Sequence, residues 1–209
     1  MLRGLYAVTP EEPDTVRLLR AVAAAVEGGA QLVQFRSKTG SREVRIAQGS
    51  ALLSLCRRHR VPLIVNDSVE IAALIDADGV HLGRDDEKVA EARRVLGRRK
   101  IIGASSYDRL ELALEAQAAG ADYVAFGSFF PSCVKPDAPR PSPDLLRRAR
   151  RSLVVPIVAI GGITVANAAQ LIDAGAHAIA VISGLFSAPE IRVAARGFQA
   201  LFETEEPSP

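Results

Sequence analysis

Gln34, Arg36 and Lys38 alternate across the end of an apolar run, Leu32 to Phe35. Successive side chains of an extended strand point to opposite faces, so two cations and an amide are carried to one side while Phe35 packs on the other. Such a cluster suits a polyanion such as a diphosphate: arginine gives a planar fork of donors and lysine a mobile point charge. Asn66-Asp67 and Asp85-Asp86 close two later runs. Brought to one opening, Asp67 and Asp86 would offer the oxygen ligands that Mg²⁺ prefers when it shares its coordination with a substrate phosphate. Each also precedes a helix pattern and could instead be an N-cap or part of an acidic first turn.

Two late segments add anion-binding chemistry. Ile160-Gly161-Gly162-Ile163-Thr164 and Val181-Ile182-Ser183-Gly184 each follow an apolar run. Glycine lets the backbone approach a ligand, and amide groups at a helix start point at an anion. A phosphorylated ligand is expected there. Between them, Phe130-Pro131-Ser132-Cys133-Val134-Lys135 opens a long segment holding Pro136, Pro139, Pro141 and Pro143; long loops of this kind act as lids, and Lys135 would close on the anion. Cys133 has no general base nearby in sequence and reads as incidental. His81, two residues after Gly79, either serves as an acid or base or points inward to a structural partner.

These residues need elements that deliver them to one place, and the chain supplies a regular alternation. The expected strands are Leu5 to Val8, Leu32 to Phe35, Pro62 to Val65, Gly79 to Leu82, Ile101 to Ala104, Tyr123 to Phe126, Ile157 to Ile160 and Ala178 to Ile182. Helical spacing falls between them, over Thr15 to Glu27, Arg42 to Arg58, Val69 to Ile75, Glu87 to Leu96, Leu110 to Ala119, Asp144 to Arg151, Ala166 to Ala174 and Pro189 to Phe202. In the first helix Val16, Leu19, Val22, Ala23 and Val26 are expected on the buried face. Gly28-Gly29, Gly120 and Gly175 follow Ala-rich helices as left-handed terminators. Eight units predict a single-domain (β/α)8 TIM barrel over 1–202, with 203–209 a disordered tail. A parallel barrel collects every strand's C-terminal end on one face, where its chemistry is done. A doubly wound sheet would need a glycine fingerprint after its first strand, and Tyr6-Ala7-Val8-Thr9-Pro10 has none.

Composition narrows the function classes. Among 209 residues, 26 basic and 24 acidic side chains leave a net charge of +2. That balance lacks the footprint of a nucleic-acid binder, and Arg147-Arg148-Ala149-Arg150-Arg151 reads as a solvated helix end. The two cysteines, Cys56 and Cys133, have no metal-ligand or disulfide spacing. The start of the chain enters a strand without an apolar leader, and no run is long enough to span a bilayer. A cytoplasmic protein without a membrane or nucleic-acid partner is expected, binding small phosphorylated molecules; a homo-oligomer is compatible with everything above.

In order along the chain, Gln34-x-Arg36-x-Lys38, Asn66-Asp67, His81-Leu82-Gly83 with the following acidic pair, Gly103-Ala104-Ser105, Lys135 and Ile160-Gly161-Gly162-Ile163 resemble the thiamine phosphate synthase family from about Leu5 to Phe198. The resemblance implies a barrel that joins 4-amino-5-hydroxymethyl-2-methylpyrimidine diphosphate to 4-methyl-5-hydroxyethylthiazole phosphate and releases pyrophosphate with Mg²⁺. It implies Arg36, Lys38, Lys135 and Mg²⁺ on Asp67 and Asp86 for the diphosphate, Asn66 on the same group, and Gln34 and Ser105 on the pyrimidine. Gly162, Ile182 and Ser183, with Ser132 and Val134 of the lid, fall to the thiazole phosphate. The chain departs from the family pattern at Arg84, where glutamine is usual, at Ser37, where glutamate is frequent, and at Val134, where a threonine hydroxyl is missing. A related thiazole tautomerase, or a barrel that binds a phosphorylated ligand without turning it over, are the competing readings; neither needs the diphosphate and metal residues.

Overall fold

The computed structural model describes residues 2–131 and 140–203. Its first half runs β1 (Gly4–Val8), α1 (Thr15–Glu27), β2 (Leu32–Phe35), α2 (Arg42–His59), β3 (Leu63–Asn66), α3 (Val69–Leu74), β4 (Gly79–Leu82) and α4 (Val89–Leu96). The second half continues with β5 (Ile101–Tyr107), α5 (Leu110–Ala118), β6 (Tyr123–Phe126), α6 (Asp144–Ser152), β7 (Ile157–Ile160), α7 (Val165–Asp173), β8 (Ala178–Val181), α8 (Ser183–Phe186) and α9 (Ile191–Glu203). The eight strands are parallel and close into a barrel, β1 pairing with both β2 and β8. Each strand therefore ends on the same rim.

Strand parity sorts the side chains. Tyr6, Val8, Leu32, Ile64, Tyr123, Ala125, Val158, Ala178 and Ala180 pack together as the barrel interior. Their sequence neighbours Leu5, Ala7, Val33, Phe35, Val124 and Phe126 belong to the larger core between strands and helices. Burying an aliphatic or aromatic side chain contributes about 1.5–3 kcal/mol, so shifting one strand by a residue would expose two cores at once. Gly103 makes the interior possible: a Cβ there would lie 2.0 Å from the Tyr123 ring.

The helix ends follow local chemistry. Asp14 caps α1, its carboxylate accepting the Val16 and Arg17 N–H groups at 2.8 and 3.1 Å. Gly29, Gly120 and Gly175 turn the chain out of their helices with φ of +106°, +96° and +112°. Gly28 does not share that role: it keeps right-handed geometry as the last cap of α1.

The structure corrects several boundaries. On α1 the buried residues are Leu18, Val22, Ala25 and Val26, with Leu19 and Ala23 partly buried against the same core; of the expected stripe only Val16, in the first turn, is exposed. α4 begins at Val89, after Glu87. β5 extends to Tyr107 through a register shift between Ser105 and Tyr107, one extra residue that re-aims the end of the strand. A short α8 follows β8, where the eightfold pattern provides no helix; its four residues are too few to show a period. Glu203, expected in the tail, is the last residue of α9; residues 204–209 lie outside the described residues. Among those described, no helix is long and apolar enough to cross a membrane.

Candidate active site

A cavity of about 320 Å³ opens at the C-terminal rim of the strands. From β2 it receives Gln34, Arg36 and Lys38; from the ends of β3 and β4, Asn66, Asp67, His81, Arg84 and Asp86; from β5, Ser105 and Tyr107. Gly161 and Ile182 complete the far wall. The cations, carboxylates and amide read separately along the chain thus line one space.

The acidic half is built by backbone strain and a tight loop. Asp67 sits at φ +63°, a left-handed conformation that ordinary residues avoid, and its N–H donates to the His81 carbonyl at 2.8 Å. Helix α3 is capped by Ser68, whose hydroxyl accepts the Ile71 N–H at 3.2 Å. Lys88 occupies the N-cap of α4 without a side-chain bond. Neither Asp67 nor Asp86 is a helix cap. Asp86 accepts the Gly83 N–H at 2.6 Å and lies beside the Asp67 carboxylate. Its carboxyl is held above the usual carboxylate range, first by burial and then by the neighbouring Asp67, against the opposing Gly83 N–H and Lys38 charge.

The basic half faces it. Lys38 Nζ lies 3.5 Å from Asp67 Oδ2. Thr9, at the end of β1, fixes the Arg36 backbone: its hydroxyl accepts the Arg36 N–H at 2.9 Å and donates to the Arg36 carbonyl at 3.3 Å. The Arg36 guanidinium is 4.0 Å from the Glu11 carboxylate. Arg84 stacks its guanidinium 4.8 Å above the Tyr107 ring centroid, and the Arg84 backbone N–H donates to the Tyr107 hydroxyl at 3.2 Å. That cation–π seat holds the added cation at the rim.

Beneath the cavity runs a buried polar chain. Gln34 Nε2 donates to the Tyr6 hydroxyl at 2.7 Å, Tyr6 and Tyr123 hydroxyls are 2.8 Å apart, Tyr123 is 3.0 Å from His81 Nδ1, and His81 Nε2 is 2.9 Å from Ser105 Oγ. One proton order satisfies every group: Gln34 to Tyr6, Tyr6 to Tyr123, Tyr123 to Nδ1, and Nε2–H to Ser105. It leaves the Ser105 hydroxyl proton for the cavity. Burial raises the phenol pKa of both Tyr6 and Tyr123 well above its ordinary value. His81 points inward, stacked on Tyr123 with centroids 5.5 Å apart and hydrogen-bonded through both ring nitrogens, while still lining the cavity.

The late loops are placed differently from the sequence expectation. Gly161 faces the cavity, whereas Gly162, at φ +62°, turns beneath Phe130 and Pro131, where a Cβ would lie 2.3 Å from the Pro131 carbonyl oxygen. Ile182 lines the cavity but Ser183 does not. Strand alternation stops at Ile182, whose φ and ψ of −107° and −92° turn the chain into α8. Phe129 and Phe130 donate their N–H groups to Ile160 and Gly161 at 3.2 and 3.0 Å, so the chain after β6 is pinned against the end of β7. The lid residues Ser132, Cys133, Val134 and Lys135 lie outside the described residues.

The sequence reading missed Tyr6, Tyr123, Tyr107, Thr9 and Glu11. Inward parity with a polar tip marks Tyr6 and Tyr123 in their strands. Tyr107 depends on the register shift in β5, and Glu11 on a contact across loops, neither of which periodicity reveals.

For a metal, the donor set is two carboxylates. Among the described residues no group of three or more His, Cys, Asp or Glu gathers into a ready cage. Two carboxylates beside cations suit Mg²⁺, which keeps waters and shares substrate phosphate oxygens, and the Asp67 charge beside Asp86 is the kind of repulsion that a divalent ion would relieve.

A closed parallel barrel with cations, carboxylates and glycine loops on its C-terminal rim defines an enzyme of the phosphate-handling (β/α)8 class. Residues 5–185 match the family model described as thiamine monophosphate synthase. The chain is 58% identical over 202 residues to a thiamine-phosphate synthase of Thiobacillus denitrificans, covering 97% of this chain and 96% of that protein. It is 55% identical over 201 residues to the thiamine-phosphate synthase of Methylobacillus flagellatus, covering 96% of each. The solved structure of a thiamine phosphate pyrophosphorylase from Pyrococcus furiosus superposes with a TM-score of 0.87 at 36% identity, covering 96% of both chains. The chain belongs to the thiamine monophosphate synthase family.

Proposed function

We propose that the protein condenses 4-amino-5-hydroxymethyl-2-methylpyrimidine diphosphate with 4-methyl-5-(2-hydroxyethyl)thiazole phosphate, giving thiamine phosphate and pyrophosphate. The observation that carries this reading is the meeting of Arg36, Lys38, Asp67 and Asp86 in the same cavity as Gln34 and Ser105. The first bond to break joins the pyrimidine methylene carbon to a diphosphate oxygen, and its electron pair leaves with the diphosphate. The aminopyrimidine delocalises the resulting cation. The thiazole nitrogen then donates its lone pair to the methylene carbon, forming the new C–N bond, and no proton need move in either step.

Catalysis of that kind is charge stabilisation and positioning. Arg36 and Lys38 are aimed by β2 at the departing diphosphate, and Lys135 would join them from the lid. Asp67 and Asp86 would hold Mg²⁺, which when bound neutralises diphosphate charge. Asn66, beside Asp67, contacts the same group. The chain of Gln34, Tyr6, Tyr123 and His81 fixes the Gln34 amide and turns the Ser105 hydroxyl toward the pyrimidine, so both ends of one hydrogen-bonded network meet the ring. The thiazole phosphate falls to the rim formed by the loops after β7 and β8, where Gly161 and Ile182 line the cavity; the motif positions Gly162 and Ser183 stand behind that lining, and Ser132 and Val134 would complete the phosphate site. A cytoplasmic location fits two phosphorylated substrates, which do not cross a bilayer unaided.

The test is release of pyrophosphate from the two substrates with Mg²⁺. Release that requires both substrates is expected. A tautomerase or a phosphate-binding barrel would release none, and that outcome would overturn the reading.

A further inference from the structure

Glu11 lies in the β1–α1 loop, outside the residues that the site and the family pattern use, and its carboxylate is engaged from several directions. It accepts the Lys38 N–H at 3.0 and 2.9 Å on its two oxygens, the Thr39 N–H at 3.0 Å, the Thr39 hydroxyl at 2.7 Å and the Ser37 hydroxyl at 3.1 Å. Among the described hydrogen bonds, the backbone N–H groups of Lys38 and Thr39 go to Glu11 alone. The loop from Ser37 to Gly40 leaves β2 and enters α2 only at its cap, Ser41; between those ends Glu11 is its tether. Burial alone would push this carboxyl up, but the backbone N–H groups of Lys38 and Thr39 and the hydroxyls of Thr39 and Ser37 outweigh it and hold its pKa at about 2.

We propose that Glu11 is a positioning residue for the diphosphate, clamping the Ser37–Thr39 backbone so that Arg36 and Lys38 are set before the substrate arrives. The proposal rests on the assignment of the diphosphate to Arg36 and Lys38. Two effects of Glu11 oppose each other. Its negative charge, 4.0 Å from the Arg36 guanidinium, competes with an incoming anion, so electrostatics alone predicts that removing it tightens diphosphate binding. Its hydrogen bonds keep the loop ordered in advance; freeing even one residue of backbone, to be re-ordered at binding, corresponds to about tenfold in affinity. The number of bonds it makes decides in favour of order.

The experiment compares Glu11→Ala, Glu11→Gln and Glu11→Asp with the natural protein. Thermal unfolding is measured first, then KM for each substrate, then calorimetric binding of inorganic pyrophosphate with Mg²⁺. The clamp predicts that Glu11→Ala weakens pyrophosphate binding and raises KM for the diphosphate by about tenfold, moves KM for the thiazole phosphate less than about twofold, and that Glu11→Asp recovers part of the loss. Glu11→Gln, which keeps an acceptor and loses the charge, should fall between. Tighter pyrophosphate binding in Glu11→Ala would overturn the clamp, as would equal loss for both substrates with lowered unfolding temperature. Pyrophosphate binding that weakens in Glu11→Ala while the natural protein shows no turnover would uphold the clamp and overturn the assigned reaction.

Discussion

The Lys38 ammonium lies 3.5 Å from the Asp67 carboxylate, joining the end of β2 to the end of β3. The cationic and acidic clusters are therefore one charge-balanced site. In the proposed reaction a diphosphate bound there would draw Lys38 from Asp67 and leave the carboxylate available to a divalent ion.

Asp67→Asn should lower turnover by about 100-fold or more, since it removes a ligand charge that no neighbour replaces, while the barrel stays folded. The same change at Asp86 should do likewise. Turnover measured across a Mg²⁺ titration checks this; full activity of both variants at low Mg²⁺ would remove the metal from these residues.

Arg36→Ala should depress kcat with the diphosphate substrate by about 10- to 1000-fold, because the interaction strengthens as charge moves onto the departing oxygen. Steady-state kinetics with each substrate varied in turn separates the cases. A change confined to the KM of the thiazole phosphate would place Arg36 in the other half of the site.

Tyr123→Phe removes the hydroxyl that joins Tyr6 to His81 and takes from the buried Tyr6 hydroxyl its acceptor. The expected cost is about 1–3 kcal/mol, read from urea unfolding, together with reduced affinity for the pyrimidine substrate as Ser105 loses its orientation. Unchanged stability and kinetics would mean that the chain below the cavity carries neither.

The phenols give a pH prediction. The protein has three tyrosines and no tryptophan, so tyrosinate absorbance reports them alone. In the folded state burial raises the pKa of Tyr6 and Tyr123 above 10, so the native protein keeps protons that the unfolded chain releases. Their contribution to stability is full below the unfolded pKa of about 10 and is lost as pH rises beyond it. Spectrophotometric titration should show at least two of the three phenols ionising only as the protein unfolds. Free ionisation of all three in the folded protein would contradict the buried chain.

How much of this was legible in the sequence depends on the range of the contact. Period-2 alternation in Gln34-Phe35-Arg36 and the matched strand ends made the barrel and its rim readable, because parity in a parallel barrel fixes which side chains face inward. Asp67 was readable as a candidate, but not as a residue at φ +63° held by the His81 carbonyl, since that bond depends on the register of β3 against β4. Helix α8 and the β5 shift are local irregularities without a period. Gly162 and Ser183 were credited by position in a motif, whereas the packing of Phe130 and Pro131 and the turn at Ile182 decide which residues face the cavity. Glu11 belongs to no strand or helix and meets its partners across some 27 residues of sequence, beyond the reach of any short-range pattern.

The most direct test of the account measures both products of one reaction mixture containing the two substrates, Mg²⁺ and the protein: pyrophosphate, and thiamine phosphate by mass spectrometry. Capture of the pyrimidine cation by the thiazole nitrogen predicts equal amounts of the two. Pyrophosphate without thiamine phosphate would mean that water captures the cation, and no pyrophosphate at all would mean that the diphosphate is not the group this rim was built to release.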